Sequence, residues 1–506
     1  MFVKGHGRNS IAMARRWFDK CEFGHHDCRR ETSTSFSPTR LVKISGGRQR
    51  LVLSKSLNRP VQSATLSHCW GNIAIHRLLQ DNISTFLQDI PADSLCRTFL
   101  DAIVIARPLG LHYLWIDSLC IVQDDPADWR RESAAMCDVY THASLNIAAT
   151  SARDGSEGCF MNKDNNYLAA HCIAIGQERF MCANSSLYAH NVLDTPLGSR
   201  AWVVQERLLA ARTIHFGKNQ LFWTCQDRIA CEAYPERLPG GLVREVDHPS
   251  LETEASWREV VAQYSGCELT QSSDKLVAIS GLAKRVAQYR PEDQYVAGLW
   301  FESLHVDLCW KVGRPEPLPP PPGPYQAPSW SWAALNQRVI FPAEPSSNWA
   351  PLMTALQVQT DRVGDDLYGA LENAALWVKS GFFLKTRIPK RSQDAKAQRF
   401  GESSVSMVIA WDYVSDGTSE FYFCPVLQDV TRSQTQGFVL VATLGEAGEY
   451  RRVGHFKEVV EGWPYERLDI VDARVGECLE CEPQPGDYVD GFEKGGVDLP
   501  GVIKLV

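Results

Sequence analysis

The chain has 506 residues, which at roughly 100–200 residues per domain predicts about three domains. Its residues are 44% hydrophobic and 22% charged, a globular balance that excludes disorder as the main state. With 52 Lys and Arg against 60 Asp and Glu, the net charge of −8 argues against bulk electrostatic capture of DNA or RNA.

Residues 1–60 are polar and basic, and read as an N-terminal extension with two short strands at 41–44 and 50–53, a hairpin or edge pair. Residues 61–235 alternate strand and helix. Residues 64–69 read as a buried strand ending in a Trp70-Gly71 turn. Residues 98–108 carry Phe99, Ala102, Ile103 and Ala106 at helical spacing and stop at Pro108-Leu109-Gly110. The run YLWID at 113–117 has the form of a central parallel strand with a carboxylate at its tip. Asp125 reads as an N-cap with Pro126 in the first helical position, followed by a face of Trp129, Met136, Val139, Tyr140 and Ala143. Another strand at 145–149, a helix at 200–211 and two β-like runs at 213–216 and 220–224 complete the region. This order predicts an α/β domain with a mainly parallel sheet flanked by helices.

Residues 236–313 read as a helical region. Residues 314–328 contain eight prolines and read as a stiff extended connector. From 329 to 506 short alternating runs such as LWVKSGFFL, EFYFCPVL and GFVLVATL predict a β-rich C-terminal domain, a sandwich or barrel. Its role is open between ligand sensing, restraint of the N-terminal region and assembly. No run reaches the roughly 18 apolar residues of a membrane span, and the first residues lack a secretory pattern. A cytoplasmic protein with reduced thiols is expected, despite 16 cysteines.

No Walker loop, GxSxG elbow, HExxH or Rossmann glycine fingerprint is present. Cys21 and Cys28 flank His25 and His26, but the spacing matches no common zinc pattern and four ligands would crowd one short loop. These residues read as free thiols at a helix end; no metal is expected here, at Cys225 and Cys231, or at the CxxC of Cys478 and Cys481. Three clusters carry more. Ser67-His68-Cys69-Trp70-Gly71 and the polar residues from Asp117 to Gln123 lie at predicted strand tips, where ligands of open α/β sheets bind. Arg200, Trp202 and Glu206 open a helix. The competing reading makes the tryptophans core and the polar groups loop braces, with Glu206 in an ion pair to Arg207 or Arg212.

The segments TLSHCWG, LGLHYLWIDSLCIVQDDPADWRRESAAMCDVYTHASLNIAA and SRAWVVQERLLAARTIHF resemble, in order, the hallmark blocks of the HET domain, the heterokaryon-incompatibility domain of filamentous fungi. The resemblance covers residues 61–235; Cys96 stands where the family usually has proline. It implies fungal non-self recognition and regulated cell death, with self-association and a partner incompatibility protein as expected contacts, and neither nucleic acid nor membrane. The HET domain is also similar to Toll/interleukin-1 receptor (TIR) domains, several of which hydrolyse NAD+ with a glutamate in a Trp-Cys-x-x-Glu helix. Trp202 and Glu206 match that Trp-to-Glu spacing, although Ala201 and Val203 carry no reactive group. The implied NAD+ nucleosidase has Glu206 as its catalytic carboxylate. Ser67, His68, Trp70, Gly71, Asp117, Gln123, Arg200 and Trp202 then form the substrate-binding set, with NAD+ as substrate and no separate cofactor. The alternatives are a signalling module that works by contact and an accessory protein of a biosynthetic pathway.

Overall fold

The structure is a computed structural model that describes residues 5–26, 28, 36–160, 171–175, 178–182, 186–244, 247, 249, 251–313, 325–342, 349–380, 384–387, 398–399, 405–412, 420–429, 431, 434–445, 448–460 and 502–506. Most of the proline-rich connector, and the CxxC of Cys478 and Cys481, lie outside them. The chain forms two compact units: Met1–Pro249 with Cys267–Leu269, and Ser250–Gly266 with Thr270–Val506.

The first unit begins with helix α1 (Gly5–Gly24), followed by strands β1 (Arg40–Lys43) and β2 (Arg50–Leu53). After β3 (Ala64–Ser67) come helices α2 (Ile83–Gln88) and α3 (Arg97–Ala106), β4 (Tyr113–Trp115), α4 (Asp117–Cys120), α5 (Pro126–His142) and β5 (Leu145–Ala148). A hairpin of β6 (His171–Ile175) and β7 (Glu178–Cys182) stands apart from the main sheet. Helix α6 (Ala201–Leu209), β8 (Arg212–Phe216), β9 (Leu221–Cys225) and β10 (Ile229–Cys231) follow. The sheet runs β10-β9-β8-β5-β3-β4-β1-β2. Its centre, β8-β5-β3-β4, is parallel and both edges are antiparallel, so the sheet is mixed rather than mainly parallel, and β1 and β2 of the predicted N-terminal extension are built into it.

Local chemistry accounts for the elements. All four residues of β3 and of β5 are buried, which a central strand covered on both faces requires. Asp125 caps α5 by accepting from the backbone N–H groups of Ala127 and Asp128, with Pro126 at the first helical position. Helix α3 buries Phe99, Ala102, Ile103 and Ala106, the predicted face, and ends before Gly110 at φ +79°. Cys96, just ahead of α3, has φ −67°, a value proline shares, so the departure from the family pattern is accommodated there. From β3 the chain passes to one side for β4 and to the other for β5. The carboxyl end of β3 is therefore the topological switch point of the sheet, where open α/β folds place their ligands.

The second unit opens with α7 (Glu254–Tyr264) and α8 (Val277–Ala287). The hairpin β11 (Tyr295–Val296) and β12 (Leu299–Trp300), helix α9 (Leu304–Asp307), and the pair β13 (Lys311–Val312) and β14 (Val339–Ile340) follow. In the hairpin turn Ala297 and Gly298 both have positive φ, +50° and +94°, as a two-residue primed turn demands. The Gly298 carbonyl accepts from the indole N–H of both Trp257 (3.0 Å) and Trp332 (2.9 Å), which fixes two core tryptophans on one turn. A second sheet contains β15 (Trp349–Pro351), β16 (Met353–Arg362), β17 (Leu371–Ser380), β18 (Leu384–Arg387), β19 (Gln398–Arg399) and β20 (Val405–Trp411). It also contains β21 (Glu420–Asp429), β22 (Gln434–Ala442), β23 (Glu449–Val460) and β24 (Val502–Leu505). The C-terminal part is thus sheet-rich, as its alternating runs predict. Among the described residues no helix is long and apolar enough to cross a membrane.

Candidate functional site

The switch point is lined by groups from four elements. Strand β3 ends in Ser67, and His68, Cys69 and Trp70 follow it; Asp117 begins α4, with Ile116 alone between it and the end of β4. The sequence reading carries the β4 strand to Asp117, but the backbone turns earlier. Asp117 Oδ1 accepts from the Ser118 N–H at 2.7 Å and opens a helical turn instead. The other carboxylate oxygen of Asp117 accepts from the Trp70 indole N–H at 2.9 Å, and Oδ1 stands 3.7 Å from His68 Nδ1. Two loops are tied together by one carboxylate.

Gly71 makes the turn possible. It has φ +63°, and a Cβ there would lie 2.3 Å from the Asp154 Cβ. Gly71→Ala is expected to cost about 1–3 kcal/mol through positive φ and the clash, read by thermal denaturation; an unchanged midpoint would refute this.

Glu206 lies on α6 and is buried. The hydroxyls of Ser67 and Tyr140 reach its carboxyl, and Asp117 and Arg200 act on it through charge. Burial is the chief cause that holds this carboxyl up to about 7; Asp117 pushes the same way, while Ser67, Arg200 and Tyr140 pull it down. Burial conversely pushes the His68 imidazole below its ordinary value, more than the nearby Asp117 can offset. Arg200, at the N-cap of α6, donates to the His68 carbonyl and so links α6 to the tip of β3. Arg200, rather than Arg207 or Arg212, is the cation that lowers the Glu206 carboxyl. Arg207 donates to the Asp247 carbonyl, and Arg212 to Cys21 Sγ and the Cys28 carbonyl.

The structure therefore brings Ser67, His68, Trp70, Asp117, Arg200 and Glu206 together. Gln123 serves differently: its amide donates to the carbonyls of Asp117 (3.1 Å) and Ile121 (2.9 Å) and braces the α4 turn. Trp202 packs edge to face on Trp129, with ring centroids 6.3 Å apart. Two contributors escaped the sequence reading. Asn146, in the middle of β5, accepts from Thr65 (3.0 Å) and Ser67 (3.1 Å) and orients the Ser67 hydroxyl. A polar residue inside a fully buried strand is the signal that could have found it, because such a group must be hydrogen-bonded. Tyr140 had been placed only on the buried face of α5, and nothing in its spacing shows that its hydroxyl meets Glu206. Among the described residues, His68 Nε2, Glu206 Oε2 and both Gln205 amide atoms are buried without a hydrogen-bond partner.

Residues 64–206 match the family model described as heterokaryon incompatibility protein (HET). The chain carries a HET domain. No curated protein and no solved structure matches the chain. The HET match begins at the first residue of β3 and ends at Glu206, so it encloses all of the switch-point residues named above. The strands β1, β2, β8, β9 and β10, which complete the sheet, lie outside the matched segment.

Proposed function

We propose that the HET domain acts in fungal non-self recognition and regulated cell death by hydrolysing NAD+, with Glu206 as the carboxylate that stabilises the transition state. Ordinary glycosidases need two carboxyl groups, because an alcohol leaving group must be protonated. The nicotinamide of NAD+ is a pyridinium and departs neutral. Water then adds to the ribose carbon, and the products are nicotinamide, ADP-ribose and a proton. One carboxylate suffices to hold the ribose hydroxyls and face the developing positive charge. Arg200 would turn its remaining N–H groups toward the pyrophosphate. Ser67 and Asp117 would orient the ribose, and Trp70 would flank it. The single observation that carries this reading is the buried Glu206 carboxyl at the switch point, with Oε2 unpartnered.

The test is nicotinamide release by the purified full chain at high protein concentration, beside Glu206→Ala and Glu206→Gln. Both variants are expected to lose about 10²–10³-fold in rate, the usual loss when a preorganised electrostatic stabiliser is removed. Because the ionised form does the work, wild-type release should rise with pH around the Glu206 midpoint of about 7. Asp117→Asn should move that midpoint down by removing a like charge. Equal, non-zero release from all three proteins would take Glu206 out of the mechanism. A second reading, signalling by contact alone, is favoured by the burial of Glu206, only 7% exposed. Release from none of the three proteins, with toxicity in fungal cells intact, would support that reading instead.

A further inference from the structure

On the same unit as Glu206, Cys21 and His25 lie at the end of α1, Cys28 follows, and Cys225 closes β9. Four potential ligand atoms, one from each residue, lie within 4.8 Å of one another, and all four residues are buried. His25 Nδ1 is 3.8 Å from Cys28 Sγ and 3.6 Å from Cys225 Sγ. A tetrahedral zinc ion with Zn–S of about 2.3 Å and Zn–N of about 2.0 Å sets its ligand atoms roughly 3.5–3.8 Å apart. We propose that Cys21, His25, Cys28 and Cys225 form a structural zinc site of the Cys3His type.

The surroundings fit that ion. His25 presents Nδ1 to the thiols, while Nε2 faces the Asp227 carboxylate at 3.6 Å. Nε2 makes no hydrogen bond at that distance, and Asp227 is placed to accept one from it when Nδ1 binds the ion, which would select the tautomer and hold the ring. Arg212 is buried, donates through Nε to Cys21 Sγ at 3.2 Å, and through Nη2 to the Cys28 carbonyl at 2.7 Å. Three thiolates and Zn2+ carry a net charge of −1, which this guanidinium neutralises. Soft sulfur ligands in a tetrahedral set select zinc over the harder divalent ions, and four protein ligands leave no open position for catalysis. Three thiols around one imidazole also cannot all pair as disulfides.

The sequence objection of four ligands crowded into one loop is removed. His26 is not in the set, and the fourth ligand arrives 200 residues after His25. The ion would staple α1 to the antiparallel edge of the HET sheet, where Trp17 of α1 already packs on Trp223 of β9 and donates to the Pro235 carbonyl.

The experiment is metal analysis by mass spectrometry of the full chain, purified under reducing conditions from zinc-containing medium. One zinc per chain is expected. Cys225→Ser and His25→Ala should fall by about tenfold or more in bound zinc, and Asp227→Asn should weaken zinc affinity by about 10–100-fold. Cys231→Ser and the Cys478→Ser/Cys481→Ser double variant should keep their zinc. If the ligand variants do not fold, the wild type still decides: cobalt exchanged into it should show the absorption of a tetrahedral thiolate complex, and zinc release by a mercurial should lower the unfolding midpoint. A folded, reduced wild type that neither contains zinc nor takes up Zn2+ or Co2+ overturns the proposal. So does full zinc retention by Cys225→Ser, or its loss from the Cys478/Cys481 variant alone.

Discussion

Asp412→Ala is expected to destabilise the second unit by roughly 3–5 kcal/mol, the range measured when one partner of a buried ion pair is removed. Arg452 is fully buried: Nε donates to Asp412 Oδ2 at 2.9 Å, and the other two nitrogens donate to the Leu308 and Trp310 carbonyls at 2.7 and 2.5 Å. The guanidinium carbon stands 3.4 Å from the Trp310 ring centroid. Burial pushes the Asp412 carboxyl above the usual carboxylate range even with Arg452 beside it, and pushes Arg452 down. Desolvation therefore exceeds attraction for each partner, so the pair is not a net source of stability. Breaking it is nonetheless severe, because Asp412→Ala strands a guanidinium that cannot shed its proton at ordinary pH. Arg452→Met should cost less per charge, since the orphaned Asp412 can protonate, although the two carbonyls lose their donors. Adding Asp412→Leu to Arg452→Met should recover part of the loss. Urea denaturation of the four proteins checks the order; a loss below about 1 kcal/mol for Asp412→Ala would show that the pair is solvated and the account wrong.

Glu206→Gln should stabilise the first unit, and only above mildly acidic pH. The native carboxyl titrates at about 7 against an ordinary value of 4.5. Between those values the native state keeps a proton that the unfolded chain has lost, so stability falls as pH rises from 4.5 to 7 and is level above it. The full difference is on the order of 3 kcal/mol. Below pH 4.5 the two proteins should unfold at the same temperature, apart from the amide's own contacts; at pH 8 the variant should unfold several degrees higher. Other groups titrate in this window, so the quantity to follow is the wild-type-to-variant difference in midpoint. A constant difference from pH 4 to 8 would mean that Glu206 is ionised throughout. Such a gain in stability with a loss of nicotinamide release would be the trade-off of a functional site.

Much of the first unit was legible because its signals are local. Asp125-Pro126 announces a helix start by cap chemistry, and the apolar spacing of residues 99–106 announces a helix face. The polar tips after β3 and β4 were visible as polar residues ending apolar runs. The strand end at Trp115 is not legible because the apolar run continues through Ile116, where the carbonyl already accepts from the Leu119 and Cys120 N–H groups and starts a helical turn. In the second unit, the alternating runs gave away strands, but not that α7, α8 and α9 fold with those strands. Helical periodicity says which face is apolar and is silent about what covers it.

By itself the sequence determined the elements, their order, and the three motif blocks of a HET domain, since caps, periods and turn residues act over a few positions. Only the tertiary structure decided which distant groups meet. It set Tyr140 and Asp117 around Glu206, Asn146 behind Ser67, Arg452 against Asp412, and Cys225 beside Cys21 and Cys28. Those meetings arise from strand order and helix packing, and no short stretch of chain encodes them. They also set the electrostatics: a carboxyl in a solvated helix and one sealed beneath a sheet tip share the same letter, and only desolvation tells them apart.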